Sequence, residues 1–303
     1  MPVEVAKTKP ATPAESSPND PAHLKIRDLI YRISGIYYSE EKLYLLSGRC
    51  QRRMLALSVA TPSDYLGHLT SRGNCEVELR LLLNEITIGE TYMFRHPAQH
   101  EALRNVILPQ ILQVKGAVGL KRLRFWCAGC STGEEPHALA MFLLEEKDKL
   151  LAGSTFDILA TDLNDNSLET ARAGIYDEYA LRSTSPALRQ KYFKPAGADK
   201  LQANELLKAQ IRFERLNLSD DGKMLLQKGI DIVFCCNVLI YFDLASKSRV
   251  VQHFFSSLMP GGYLFLGHAE SLFGVNDSFR LVHFPGTTAY LKPTAAAVAG
   301  GKK

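Results

Sequence analysis

The sequence predicts an α/β protein, with a sheet of mainly parallel strands, a small all-helical domain before it and a small lobe inserted into it. Three observations carry this. From Leu123 onward, short β-rich runs alternate with helical stretches, the pattern of strands joined by crossover helices. Between His23 and Thr87 the apolar residues recur instead at helical spacing, as in Leu43, Leu46, Cys50, Met54 and Leu57. Finally, Phe125 to Pro136 runs from an apolar strand into a glycine turn and then a helix.

Residues 1–22 hold five of the fourteen prolines and almost nothing to bury, so a disordered tail is expected there. The helical domain follows over 23–90, with turn signals near Gly35, Pro62 and Gly73. A helix from Ala98 to Val114 then leads into the larger domain, expected over 91–293. Its candidate strands are Leu123–Cys127, Phe156–Thr161, Arg212–Leu216, Asp231–Cys236 and Tyr263–Gly267. A closing pair, Phe279–Phe284 and Thr287–Lys292, is joined by the turn at Pro285-Gly286. The long connection 188–210, rich in Lys, Gln, Ala and Gly, is the expected lobe, and 294–303 is a second expected tail.

Composition narrows the function. A formal charge of +4 from 36 basic and 32 acidic residues is too small an excess to coat a nucleic acid without strong local clustering. No run approaches the roughly twenty apolar residues of a membrane span, and the first residues lack the apolar core of a secretory signal. A cytoplasmic monomer that neither inserts into membrane nor binds nucleic acid is expected. The six cysteines are scattered through a chain long enough to bury a core without disulfides, which suits reduced thiols.

The glycine turn suggests a nucleotide-type site. Gly129 and Gly133 allow close backbone approach to a ligand, and Ser131 or Thr132 can cap the helix that follows. Asp162 ends the second strand beside this loop, where a carboxylate can accept from two ribose hydroxyls; a helix N-cap is its plainer role. There is no G-x-G-x-x-G fingerprint, which disfavours a pyrophosphate cofactor and leaves S-adenosylmethionine (AdoMet) as the common ligand of such a sheet. Asn237, at the end of the strand Asp231–Cys236, offers a donor and an acceptor to the cofactor's amino-acid end. Tyr241 can orient a methyl group or wall an acceptor slot, with core packing as its alternative.

Taken together, Thr91-Tyr92-Met93-Phe94-Arg95, GCSTGEEP, Asp162, Asn217-Leu218, Cys236 to Phe242, Pro260-Gly261-Gly262 and Gly267-His268-Ala269-Glu270 resemble the chemotaxis receptor methyltransferases of the CheR type. The likeness covers nearly everything after the N-terminal tail. It implies a Rossmann-like class I methyltransferase domain that moves a methyl group from AdoMet to receptor glutamates, releasing S-adenosylhomocysteine. It puts Thr91 and Arg95 on the cofactor's methionine part, Glu134 beside it and Asp162 on the ribose. Asn217 and Leu218 would frame the adenine, Asn237 and Val238 the transferring end, and Arg95 with Tyr241 would be the catalytic pair. Gly89 stands where the family often has Asn, so that contact is lost or taken by backbone. His137 replaces a common Tyr.

Cys127-x-x-Cys130 has a spacing that can bind zinc, but its position at a buried strand end makes packing thiols the expectation, with no metal. Lys42, Arg49 and Arg53 fall on one helical stripe, with Arg52 nearby and no acidic residue from Lys42 to Arg53. Such a run is commonly a solvated face. With the resemblance it becomes the expected docking surface for an acidic receptor helix. Some family members grip a tethering peptide with the lobe; Lys194 to Lys200 is short with one glycine, so weak or no tethering is expected. A nucleic-acid methyltransferase and a non-catalytic AdoMet-binding scaffold are the competing readings, and an NAD-linked oxidoreductase falls with the missing fingerprint.

Overall fold

A computed structural model describes residues 20–294 except 72, 74 and 88. The expected tails therefore lie outside the described residues over 1–19 and 295–303. Residues 20–22 correct the first of them. Asp20 accepts the Ala22 N–H at 2.7 Å and Pro21 opens helix α1 (Pro21–Ser34). A proline that reads as tail composition is also a favoured first residue of a helix.

The chain divides into two compact units, Met1–Ile88 and Gly89–Lys303. In the first, α1 ends at Gly35, whose φ of 73° is the left-handed cap conformation. Helices α2 (Leu43–Leu57), α3 (Pro62–Thr70) and α4 (Cys75–Ile86) follow. Leu43, Leu46, Cys50 and Met54 form the buried face of α2.

The basic stripe on α2 is not uniform. Glu78 of α4, 6% exposed, accepts both Arg53 Nε at 3.0 Å and Arg53 Nη2 at 2.8 Å, and the Tyr65 hydroxyl at 2.8 Å. Arg53 is thus the counter-ion of a buried carboxylate, an interaction the other basic residues of the stripe do not make among the described residues. Arg52 pairs with Glu85 at 2.9 Å on the surface. Lys42 is exposed and Arg49 half-buried, and neither has an ion pair among the described residues.

In the second unit, α5 (Pro97–Ala102) runs through a π-helical turn, Leu103–Ile107, into α6 (Leu108–Ala117). The single helix expected from Ala98 to Val114 is interrupted because Pro109 has no N–H for the α-helical ladder, and Leu108 bonds five residues back to Leu103. The chain continues as β1 (Arg122–Ala128), α7 (Glu134–Glu145), β2 (Thr155–Asp162), α8 (Asp165–Ala173), β3 (Ile175–Asp177), α9 (Glu178–Leu181), α10 (Pro186–Tyr192), β4 (Phe193–Pro195), β5 (Lys200–Ala203) and α11 (Glu205–Lys208). It ends with β6 (Ile211–Arg215), α12 (Asp221–Met224), β7 (Ile230–Cys235), α13 (Leu244–Ser257), β8 (Leu258–Leu266), β9 (Arg280–Phe284) and β10 (Thr287–Leu291).

The main sheet has seven strands in the order β6-β2-β1-β7-β8-β10-β9. The five from β6 to β8 are parallel, and β10 closes the edge antiparallel to both β8 and β9. This is the expected α/β class with its closing hairpin. Leu123, Phe125 and Cys127 join the main apolar core. Trp126 points to the other face, edge-on to Phe254 at 5.3 Å, with its indole N–H on Thr161 Oγ1 at 2.9 Å. Because β1 runs between β2 on one side and β7 on the other, the crevice at its carboxyl end is a topological switch point, the ordinary ligand position in such sheets.

The lobe is a separate three-stranded antiparallel sheet, β3-β5-β4. It starts at Ile175, earlier than the expected 188, because β3 is only three residues long and too short to show alternation. Its β4–β5 connection is the tight turn Ala196 to Asp199, closed by the Ala196 N–H on Lys200 O at 2.9 Å.

Candidate active site at the carboxyl edge of the sheet

Five successive strand ends assemble the site, all within the second unit. After β6 come Asn217 and Leu218; the Leu216 N–H bonds to Asp162 O at 3.0 Å, joining this end to that of β2. After β1 comes the glycine loop, and after β7 come Asn237, Val238 and the 3₁₀ turn Leu239–Tyr241. After β8 come Gly267 to Glu270. The fifth end is that of β2, where Asp162 sits.

Asp162 does not cap a helix. Asn164 does, accepting the Ser167 N–H at 3.2 Å. Asp162 accepts instead from Ser131 N and Asn164 N, each at 2.8 Å, so the half-buried carboxylate holds the glycine loop. Burial pushes its pKa up, opposed by these N–H bonds.

The glycine loop is glycine for steric reasons. Gly129 has φ of 78°, and a Cβ there would lie 2.4 Å from Val238 Cγ2. Val238 therefore walls the loop from the β7 side. Neither Ser131 nor Thr132 caps α7, contrary to expectation: the N-cap is Gly133, Thr132 Oγ1 donates to Glu134 Oε2 at 2.7 Å, and Ser131 Oγ is buried without a partner among the described residues. Gly89 lies against this hydroxyl, where a Cβ would meet Ser131 Oγ at 2.6 Å. A side chain at position 89 would therefore have to displace the Ser131 hydroxyl.

Two adjacent glutamates open α7, and the structure separates them. Glu134 is buried on Thr132 with Asp177 of the lobe nearby, and burial pushes its pKa to about 7. Glu135 has the Cys127 and Cys236 thiols as hydrogen-bond donors, and Glu270 and Arg95 as charged neighbours; burial pushes it to about 7 as well. The resemblance puts Glu134 beside the methionine part; of the two carboxylates, Glu135 is the one with Arg95 among its charged neighbours. Successive helical residues diverge by 100°, so only one of the pair can face the strand ends.

Arg95 leaves a turn whose preceding residue, Phe94, has φ of 54°, and its Nη1 donates to Glu90 O at 2.8 Å. Tyr241 is half-buried; burial raises its pKa while Arg95 opposes the shift and Glu270 adds to it, so the expected catalytic pair is brought to one place. Thr91 is half-buried at the start of the same turn. Asn237 also has left-handed backbone, φ 62°, and its N–H is held by Glu270 Oε2 at 2.7 Å. His96 is 8% exposed, lies 5.0 Å ring to ring from His268, and is neutral because burial drives its pKa down to about 4. Glu270 and His96 were missed as site residues, although Glu270 lies in a motif visible in the sequence.

All six cysteines are free, and burial raises the Cys127, Cys130, Cys235 and Cys236 thiols well above their usual range.

Comparison with known proteins decides the family. Residues 89–287 match the family model "CheR methyltransferase, SAM binding domain", and residues 24–87 match "CheR methyltransferase, all-alpha domain". The chain belongs to the CheR methyltransferase family. Among CheR relatives, it is 31% identical to chemotaxis protein methyltransferase 2 of Vibrio cholerae over 89% of this chain and 92% of that protein. It is 35% identical to the chemotaxis protein methyltransferase of Vibrio parahaemolyticus, covering 85% and 92% of the two chains, and 34% identical to that of Borreliella burgdorferi, covering 81% and 86%. The CheR assignment makes the chain an AdoMet-dependent methyltransferase with a Rossmann-like domain and an all-α N-terminal domain. The site suits that cofactor: Asn237 Oδ1, Ser131 Oγ and Glu270 Oε1 are buried polar atoms without partners among the described residues, beside a loop that admits no Cβ at Gly129.

Proposed function

We propose that this chain esterifies glutamate side chains of methyl-accepting chemotaxis receptors. One observation supports the reading most directly: Asn217-Leu218, Asp162, the glycine loop, Asn237-Val238 and Tyr241 follow one another along the sheet edge in the strand order β6, β2, β1, β7. An elongated nucleoside–amino acid fits such a row. Asn217 and Leu218 take the adenine, Asp162 the ribose, and Gly89, Thr91, Arg95, Gly129 and Glu135 the methionine part. Asn237 and Val238 border the transferring end.

AdoMet supplies an electrophilic sulfonium methyl. The receptor glutamate has a reference pKa near 4.3, so at neutral pH it arrives as the nucleophile and needs no general base. The chain's task is alignment and exclusion of water, since attack of an anion on a cation cancels charge in the transition state. Arg95, beside the methionine part, also reaches the incoming acceptor carboxylate, and Tyr241 walls its slot. Lys42 and Arg49 dock the acidic receptor helix, and the tight β4–β5 turn makes recognition through a tethering peptide weak or absent. The protein acts as a cytoplasmic monomer on the receptors' cytoplasmic domain.

The test is incubation with methyl-labelled AdoMet and membranes carrying the cognate receptors. Label that leaves as methanol in alkali supports the ester. Base-stable label on lysine, arginine or nucleic acid overturns it.

A further inference from the structure

The turn that carries Arg95 is held by a part of the lobe that cofactor binding does not account for. Phe94 sits in left-handed backbone, φ 54°, which an aromatic residue rarely adopts and which persists only where its surroundings over-determine it. Three contacts do so. The Phe94 ring packs on the half-buried His100 at 5.3 Å. Met93, fully buried, donates its N–H to Ala180 O of α9 at 2.9 Å. The guanidinium of Arg182, the residue after α9, lies 3.4 Å from the centre of the Tyr92 ring and 3.7 Å from that of Tyr179, and its Nη1 donates to Tyr179 O at 2.5 Å.

Arg182 is exposed and has no carboxylate partner among the described residues, so its placement follows from two aromatic faces. The Arg95 guanidinium lies 5.8 Å from the centre of the same Tyr92 ring. One tyrosine therefore has the acceptor arginine and the lobe arginine as its neighbours.

We propose that Arg182 is a positioning residue for Arg95: stacked between Tyr92 and Tyr179, it fastens the turn at residues 91–95 to α9 and so fixes Arg95 before the acceptor arrives. A long cationic side chain otherwise loses conformational freedom at the moment of reaction, and pre-orientation removes that loss. The proposal rests on the methyl-transfer reading above. It also gives the stem of the lobe a catalytic consequence that does not require the lobe to touch the receptor.

The test measures initial rates of methyl transfer to receptor-containing membranes with the full chain. Arg182→Ala should lower kcat about fivefold, in keeping with the loss of exposed cation–π contacts, while the receptor concentration for half-maximal rate stays within about twofold. Arg182→Lys, which keeps a cation over the rings, should recover most of the rate. In an Arg95→Lys background, Arg182→Ala should cost less than about twofold, because a residue that acts through Arg95 has nothing left to position. A full loss in that background, a raised KM with kcat unchanged, or no effect in either background would overturn the proposal. These outcomes are separable from failure of the underlying reading, which would appear as absence of alkali-labile label with the unaltered protein.

Discussion

The Glu270 carboxylate accepts the backbone N–H of Asn237 at 2.7 Å and that of Gly267 at 2.8 Å through the same oxygen. Asn237 is thereby held at φ 62°, with Gly267 so close that a Cβ there would lie 2.9 Å from Asn237 Oδ1. This explains why a glutamate follows the last parallel strand in the G-H-A-E run. Glu270→Ala should release Asn237 from its strained conformation and weaken S-adenosylhomocysteine binding by about 1.5–3 kcal/mol, the range for a hydrogen bond to a charged group. Calorimetry that finds the affinity unchanged would remove Glu270 from the site.

Asp162 does two things at once, and its variants should separate them. Its bonds to Ser131 N and Asn164 N hold the glycine loop, and under the proposed reading the same carboxylate takes the ribose. Asp162→Ala should lose both and weaken S-adenosylhomocysteine binding at least about a hundredfold, as expected for two charge-assisted bonds. Asp162→Asn keeps one acceptor oxygen and should fall between the two proteins. Equal affinities for all three would contradict the assignment.

Much of this site was legible because its residues terminate strands that are nearly continuous apolar runs. Asp162 and Asn237 could be placed at the carboxyl edge as soon as β2 and β7 were read. Other features depend on distance in space. Nothing local distinguishes Glu134 from Glu135, since which one faces Arg95 depends on how α7 is rotated against the sheet. The role of Glu270 needs two loops that are 33 residues apart to meet. Strand β3 is too short to carry a period, and Arg53 looks like its neighbours until Tyr65 and Glu78 arrive from α3 and α4.

That last difference predicts opposite outcomes along one basic run. Arg53→Ala leaves Glu78 as a buried carboxylate without its counter-ion and should destabilise the helical unit by about 3–5 kcal/mol, seen as a lower midpoint in denaturant. Charge reversal at Lys42 and Arg49 should leave the midpoint in place and reduce receptor methylation. The unaltered protein's rate should also fall with ionic strength, because exposed charges are screened over about 10 Å at 0.1 M salt. A receptor methylation rate indifferent to Lys42→Glu with Arg49→Glu would exclude this face from docking.

The pH dependence of cofactor binding should identify the carboxylate at the methionine end. Glu135 is pushed up to about 7 by burial, against a reference value of 4.5, so below that pH it is mostly protonated in the free protein. An ammonium group favours the ionised form, and binding one must then expel a proton. The sign follows: S-adenosylhomocysteine affinity should rise with pH up to about 7 and level off above it, with a slope approaching tenfold per unit on the acid side. Glu134 is raised to about 7 as well, but it is tied to Thr132 on the lobe side. Glu135→Gln should therefore flatten the profile and weaken binding at pH 8, whereas Glu134→Gln should preserve the slope. Calorimetry in buffers of different ionisation enthalpy would count the released proton directly. If the slope survives in Glu135→Gln and vanishes in Glu134→Gln, the two carboxylates have the reverse roles.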